Sequence, residues 1–430
     1  MNRAFRFALA LFIAPGLHGY SVLTHEAIVD SAWDQNIKPL LLKRFPDATP
    51  DDLREAHAYA YGGCIIQDLG YYPFGSKLFS DLTHYVRSGD FIINELAEAQ
   101  DLNEYAFALG SLAHYAADNE GHRIAVNPSV GAAFPELKRR FGPEVTYADN
   151  PTAHIKVEFG FDVLQVARGN YAPSSYHDFI GFQVSRELLD RAFHDTYGIP
   201  LKDVFHHLDL ALGTYRRTVS AIIPAMTKVA WDLNRKELAK SSPRINRAAF
   251  VYNLSRASYE KDWGRVYEKP GIGARILAFF IRVVPKVGPF KSAAFKPPTP
   301  QTTQWFEDSF DKTLTSYRGL LAEVGNGQLQ LANMNFDTGE PAQPATYTLA
   351  DKAYAQLAVR LAEYDAAAVD PKIRADILAY YRNLDLPFAT KRDPKQWQKT
   401  MAAVSKLKAE SGAAGSSAAP VHPPIPGPAN

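Results

Sequence analysis

The chain of 430 residues contains one cysteine, Cys64. That leaves no partner for an intramolecular disulfide and excludes a cysteine-based zinc site. It also lacks excess charge of either sign: 47 Lys and Arg stand against 46 Asp and Glu, a formal net charge of +1. So even a balance gives no global basic footprint for nucleic acid and no acidic tail. Nor is there an apolar run long enough to cross a bilayer; the stretch Phe7 to Leu17 is too short. Alternating strands with a hairpin signal are missing, as is any internal repeat. From the polar, breaker-rich stretch around Lys240-Ser-Ser-Pro243 to about Lys408 there is no histidine at all.

What is present begins with a leader. Met1-Asn-Arg3-Ala-Phe-Arg6 is a short basic region, Phe7 to Leu17 is apolar, and small Gly19 lies at a cleavage point. This reads as a secretory signal peptide over residues 1–19 and predicts a secreted or periplasmic protein. The mature chain then starts at Tyr20, whose free amine and carbonyl are able to chelate a metal five residues before His25. Beyond the leader the pattern is helical almost throughout. Val204, Leu208, Leu212, Tyr215, Val219 and Ile222 recur at helical spacing, as do Tyr354, Leu357, Leu361 and Tyr364. Asn150-Pro151 is a helix start, a cap followed by proline at the first helical position. The expectation is an all-α protein, with one domain over residues 20–238 and a further helical region over 239–408. Residues 409–430, rich in Gly, Ala, Ser and Pro, read as a disordered tail.

The chemistry is concentrated in His114 and Asp118, within Gly110-Ser-Leu-Ala-His114-Tyr-Ala-Ala-Asp118-Asn-Glu-Gly-His122. Residues four apart stack on one helical face, so both side chains can grip the same ion. His122 extends the series by a turn, and His154-Ile-Lys-Val-Glu158 repeats the pattern. Imidazole nitrogens and carboxylate oxygens suit zinc. One such pair is common on an ordinary helix surface. Two, with His25, Asp68 and His84 on separate segments upstream, point to a multinuclear metal site. Cys64, one turn before Asp68, reads as a packing residue.

The order of these residues, an aromatic N-terminus, then His25, Asp68, His84, His114-x-x-x-Asp118, His122 and His154-x-x-x-Glu158, resembles the zinc-dependent phospholipase C and single-strand nuclease superfamily. The likeness covers roughly Tyr20 to Leu233. It implies an all-α domain with three zinc ions in a cleft. By that resemblance Asp68, His84, His114 and Asp118 hold the first zinc. Tyr20 and His25 hold the second, with Asp118 bridging, and His122, His154 and Glu158 hold the third. Asp68 is also the implied general base. Clustered cations suit phosphodiester hydrolysis because they neutralise developing phosphoryl charge, acidify a bound water and clamp attacking and leaving oxygens.

Departures from the family pattern carry expectations of their own. Asp118 and His122 are about two residues closer than usual, with Gly121 as the expected helix end; a helix running straight on would turn His122 away. Leu69 and Asp81 occupy places where choline-preferring members carry aromatics, so a choline headgroup does not follow. Asp81 reads as a helix cap or exposed acid.

Glu158 resembles the phospholipases, whereas the Tyr20–His25 interval resembles the nucleases. Tyr71, Tyr72 and Phe74 could stack on a base or dip into lipid. The favoured expectation is a phospholipase C cleaving the glycerol-side phosphate ester. Single-strand nuclease activity, or a helical binding protein with a degenerate metal site, are the alternatives. The basic, apolar segment Ile276 to Ile281, which includes Phe279 and Phe280, could touch a membrane interface or pack as a buried helix. His57, His177, His194, His206 and His207 read as bystanders, the last two on a long helix starting near Lys202 with one of them exposed.

Overall fold

Capping residues and prolines divide this chain into helices at the places its sequence marks. The computed structural model describes residues 22–168, 183–217, 297–364 and 369–411. Helix α1 (Val22–Ala32) passes through a π-helical turn, Trp33–Ile37, into α2 (Lys38–Arg44). Helix α3 (Pro50–Ile65) opens under a capping box: the Thr49 hydroxyl accepts from the Asp52 N–H and the Asp52 carboxylate accepts from the Thr49 N–H. It tightens into a 3₁₀ turn, Ile66–Tyr71. Then come α4 (Lys77–Tyr85), α5 (Ser88–Glu98) and the 20-residue α6 (Leu102–Gly121). A π-helical turn, His122–Val126, leads to α7 (Asn127–Ala133) and α8 (Pro135–Phe141). Helix α9 (Pro151–Arg168) starts where expected, with the Asn150 side chain accepting from the Ala153 N–H. Helices α10 (Arg186–Tyr197), α11 (Leu201–Val204) and α12 (Leu208–Arg217) follow.

The described C-terminal part opens with the 27-residue α13 (Pro300–Asn326). Next is an antiparallel pair, β1 (Met334–Asn335) and β2 (Glu340–Pro341), in which Met334 faces Pro341 and Asn335 faces Glu340. Helices α14 (Thr348–Glu363), α15 (Pro371–Tyr380) and α16 (Pro394–Ser411) complete it. Among the described residues the protein is all-α apart from this short hairpin. Among the described residues no helix is long and apolar enough to cross a membrane.

Helix α6 is the centre of the packing. Against one side lies α3, close enough that a Cβ on Gly63 would stand 1.9 Å from the Phe107 carbonyl oxygen, and one on Gly110 would stand 2.0 Å from that of Ala60. Only glycine permits backbones that near. Along α6 also runs α13, whose Tyr317 hydroxyl donates to the Leu109 carbonyl at 2.8 Å. Apolar residues from Val22 to Leu407 form one continuous core, so the C-terminal helices and the histidine-bearing helices are packed together.

Three expectations need correction. The hairpin was not signalled by alternating residues, because each strand is only two residues long. The helix expected near Lys202 is broken at Phe205, whose extended backbone (φ −113°, ψ 123°) ends α11, and both His206 and His207 are exposed. Gly121 is the last residue of α6 but does not stop the winding: it keeps right-handed helical angles (φ −65°, ψ −49°) and the chain runs on into the π-helical turn. Residues 1–21, with the leader and Tyr20, lie outside the described residues, as do His177, Ile276 to Ile281 and 412–430.

Candidate metal centre

Eight of the nine residues expected at the site converge in the interior; the ninth, Tyr20, is outside the described residues. His25, Asp68, His114, Asp118, His154 and Glu158 are at most 1% exposed, and His84 and His122 at most 4%. They arrive from six pieces of backbone. Helix α1 supplies His25, the 3₁₀ turn Asp68 and α4 His84. Helix α6 supplies His114 and Asp118, the π-helical turn His122, and α9 His154 and Glu158.

In the first cluster, backbone carbonyls set the ring tautomers. Carbonyl oxygens only accept, so His84 Nδ1–H donates to the Ser80 oxygen at 2.8 Å and His114 Nδ1–H to the Cys64 oxygen at 2.9 Å. Each Nε2 then carries a lone pair, and the two face each other at 3.3 Å. Asp68 Oδ1 is 3.4 Å from His84 Nε2, while Asp118 Oδ2 is 3.5 Å from it and 3.2 Å from His114 Nε2. The other oxygen of Asp118 lies 3.4 Å from His25 Nε2. His25 stacks on the His114 ring with centroids 4.5 Å apart. Asp118 therefore stands between two groups of donors, His25 on one side and His84 with His114 on the other. None of the carboxylate oxygens of Asp68, Asp118 or Glu158 has a hydrogen bond. Buried carboxylates without donors are costly, and lone pairs aimed at one another repel. A cation satisfies both conditions, and this donor set fits zinc.

The second cluster is bracketed by acids on two edges. His154 Nδ1 lies 2.5 Å from Glu158 Oε1, and His122 Nε2 is 3.9 Å from that same oxygen and 3.8 Å from Asp118 Oδ1. The opposite ring nitrogens face Asp337: His122 Nδ1 at 3.1 Å and His154 Nε2 at 3.5 Å from its Oδ1. Asn127 decides which edge is free. Its Nδ2 donates to the Asp337 carbonyl at 2.7 Å, so its Oδ1 must accept, and His154 Nε2–H is the donor at 2.8 Å. His154 Nδ1 is left with a lone pair 2.5 Å from a carboxylate oxygen. Two electron-rich atoms so close need a proton or a metal ion between them.

Electrostatics agree with that reading. Burial pushes Asp68 and Glu158 above the usual carboxylate range. It acts the same way on Asp118, but His114 and His122 outweigh it and hold that carboxyl well below the range. Burial opposes a charged His84, yet Asp118 and Asp68 beside it push its pKa up to about 10. His154 is likewise pushed up to about 10, against burial, by Glu158 and Asp337. Both clusters demand positive charge.

His122 reaches the centre without any break in the helix: its N–H still bonds the Asp118 carbonyl and its side chain lies one turn along the same face, so the expectation that a straight helix would turn it away is overturned. Asp337 was missed. It sits in a region without histidines, and its signal, Asn335-Phe-Asp337-Thr-Gly339, is turn chemistry. Asn335 Oδ1 accepts from the Asp337 N–H at 3.1 Å, and Gly339 has φ +66°. Asp81 is neither a cap nor exposed: it is buried and held by Lys77 Nζ at 2.7 and 2.9 Å. Of the three aromatics after Asp68, Tyr71 borders the centre, edge-on to His84 with centroids 5.7 Å apart. Tyr72 is core, against Tyr215, and Phe74 is exposed. Cys64 is buried, its thiol donating to the Tyr61 carbonyl. His57 is half-buried, pairing with Asp30 at 2.9 Å and stacking on Trp33, and His194 is exposed beside Asp195.

Among the described residues three buried groups could hold a metal ion: His25 with His114 and Asp118, Asp68 with His84 and His114, and His122 with His154 and Asp337. Residues 24–207 match the family model described as zinc dependent phospholipase C, so this part of the chain is similar to a family whose metal is zinc. No curated protein and no solved structure matches the chain significantly.

Proposed function

We propose that this protein is a zinc-dependent phospholipase C that hydrolyses the glycerol-side phosphate ester of phospholipids and works outside the cytoplasm. The family match supports the chemistry. The observation that carries the reading is the set of hydrogen-bond-free buried carboxylates and facing imidazole lone pairs around Asp118. In this reading Asp68, His84, His114 and Asp118 hold one zinc, His25 with the Tyr20 amine and carbonyl a second, and His122, His154 and Glu158 a third. Bound zinc supplies Lewis acidity and a water nucleophile near neutral pH.

The chain's own residues do the rest. Asp118 lies between His25 on one side and His84 with His114 on the other, and would be the carboxylate shared by two metal ions. Asp68, with both oxygens free of hydrogen bonds, is the group able to take up a proton, as general base. Ser80 and Cys64 hold His84 and His114 in the tautomer that turns Nε2 inward. The headgroup has no choline-type aromatic at Leu69, which is buried, or at Asp81, which Lys77 occupies.

The test is a side-by-side assay of zinc-loaded mature protein on phospholipid vesicles and on single-stranded DNA, with metal content measured. Release of diacylglycerol and phosphorylated headgroup supports the proposal. Cleavage of DNA alone would transfer the site to the nuclease reading, and neither activity at full zinc content would leave a binding protein.

A further inference from the structure

The hairpin between α13 and α14 lies beyond the segment that matches the family, yet it brings a carboxylate to the second cluster from 215 residues away. Asp337 uses both oxygens there. Oδ1 accepts from His122 Nδ1 at 3.1 Å and lies 3.5 Å from His154 Nε2. Oδ2 accepts from the Tyr147 N–H at 2.8 Å and from the Tyr347 hydroxyl. The Asp337 carbonyl holds the Asn127 amide, which in turn accepts from His154 Nε2. All of these contacts are on the ring edges away from Glu158.

The hairpin itself is seated tightly. The Phe336 N–H donates to the His84 carbonyl at 3.1 Å. The Ser88 hydroxyl pairs with the Met334 backbone at 2.7 and 2.9 Å. A Cβ on Gly339 would stand 2.4 Å from the Asn119 carbonyl oxygen. Asp337 is 1% exposed and has no freedom to wander.

We propose that Asp337 is a positioning residue for the third zinc: directly through His122 and by way of Asn127 through His154, it fixes both imidazoles so that His122 Nε2 and His154 Nδ1 present lone pairs towards Glu158. A carboxylate behind a metal-bound histidine sets the tautomer and raises the basicity of the ligating nitrogen. Here one carboxylate does so for two ligands, and it comes from the C-terminal part of the chain. The histidine-bearing segment alone is therefore an incomplete third site.

This inference rests on the three-zinc reading, so the experiment separates the two. Wild-type protein beginning at Tyr20 and continuing to Asn430, with its Asp337→Asn, Asp337→Ala and Glu158→Gln variants, is dialysed against buffered free zinc, and bound zinc is counted as free zinc rises. Cobalt replacing zinc gives an absorption spectrum for each site, and thermal unfolding is followed with and without metal. Wild type should bind three zinc ions and Glu158→Gln two. The Asp337 variants should need about 10–100-fold more free zinc to fill one site, the usual cost of losing an outer partner. The cobalt spectrum of that site alone should change, and metal-free Asp337→Asn should unfold at the wild-type temperature. Wild-type zinc affinity and cobalt spectra in Asp337→Asn would overturn the inference, including when its metal-free form is less stable. If wild type itself binds fewer than three ions, or Glu158→Gln binds as many as wild type, the three-zinc reading fails first. Should Asp337→Ala not fold, Asp337→Asn, which keeps the side chain's size, decides.

Discussion

The two halves of the metal centre are built differently. Around Asp118 the imidazoles are steered by carbonyls of neighbouring turns: Ser80, four residues before His84, and Cys64, brought against α6 by the glycine contact of α3. Around Glu158 the imidazoles are steered by side chains, Asn127 and Asp337, the latter reached only through a hairpin far along the chain. Backbone carbonyls in helices cannot be mutated away and move only if the helices move. Side-chain steering can be removed one residue at a time. The first half should therefore fail only with the fold or with its own ligands, whereas the second can be weakened alone.

The largest effect is expected from breaking the carboxylate that touches both halves. Asp118→Asn should lose at least one zinc and reduce hydrolysis by more than about a hundredfold, the upper end of what outer-shell changes cost. Metal analysis with a phosphodiester assay checks this, and full zinc with full activity would remove Asp118 as a bridge.

Next in size is Gly63→Ala. Its Cβ would have to occupy space 1.9 Å from the Phe107 carbonyl oxygen, so α3 and α6 must part and the Cys64 carbonyl must leave His114. A loss of about 3 kcal/mol is expected, the upper end of ordinary overpacking, with zinc lost from the first cluster as well. Denaturant unfolding of metal-free and zinc-loaded protein measures both. Unchanged stability would mean that the helices do not touch there.

The smallest effect concerns a buried acid that belongs to neither cluster. Glu95 on α5 is fully buried away from both clusters, and burial pushes its carboxyl well above the usual range, with only Ser111 opposing. A carboxyl whose folded pKa is raised adds stability that is complete below its unfolded pKa and is lost as pH rises towards the folded value. Glu95→Gln should then raise the melting temperature at neutral pH, by an amount that shrinks as pH falls to about 4. A gap between variant and wild type that does not change with pH would show that the Glu95 carboxyl titrates alike in the folded and unfolded chain, so that burial does not raise it.

Much of the site could be read from local spacing. His114 with Asp118, and His154 with Glu158, are one turn apart on α6 and α9, a pattern set by helical geometry alone. The Asn150-Pro151 start was equally legible because caps are local chemistry. His122 was harder: its place one turn beyond Asp118 is helical geometry too, but it requires the α-helix to continue through Gly121, a residue whose usual role at helix ends points the other way. Asp337 could not be found by looking for histidine partners, since the turn that carries it resembles many surface turns.

By itself the sequence determined the all-α class and the pairing of candidate metal donors within each helix, because these depend on residues three or four apart. Tertiary structure alone decided which ring nitrogens face inward, that Asp118 stands between two groups of donors, and that the C-terminal hairpin shares in the centre. Those features depend on contacts between segments up to 215 residues apart. The free energy that selects them comes from close packing and from satisfying buried polar groups, and neither is written in any local pattern.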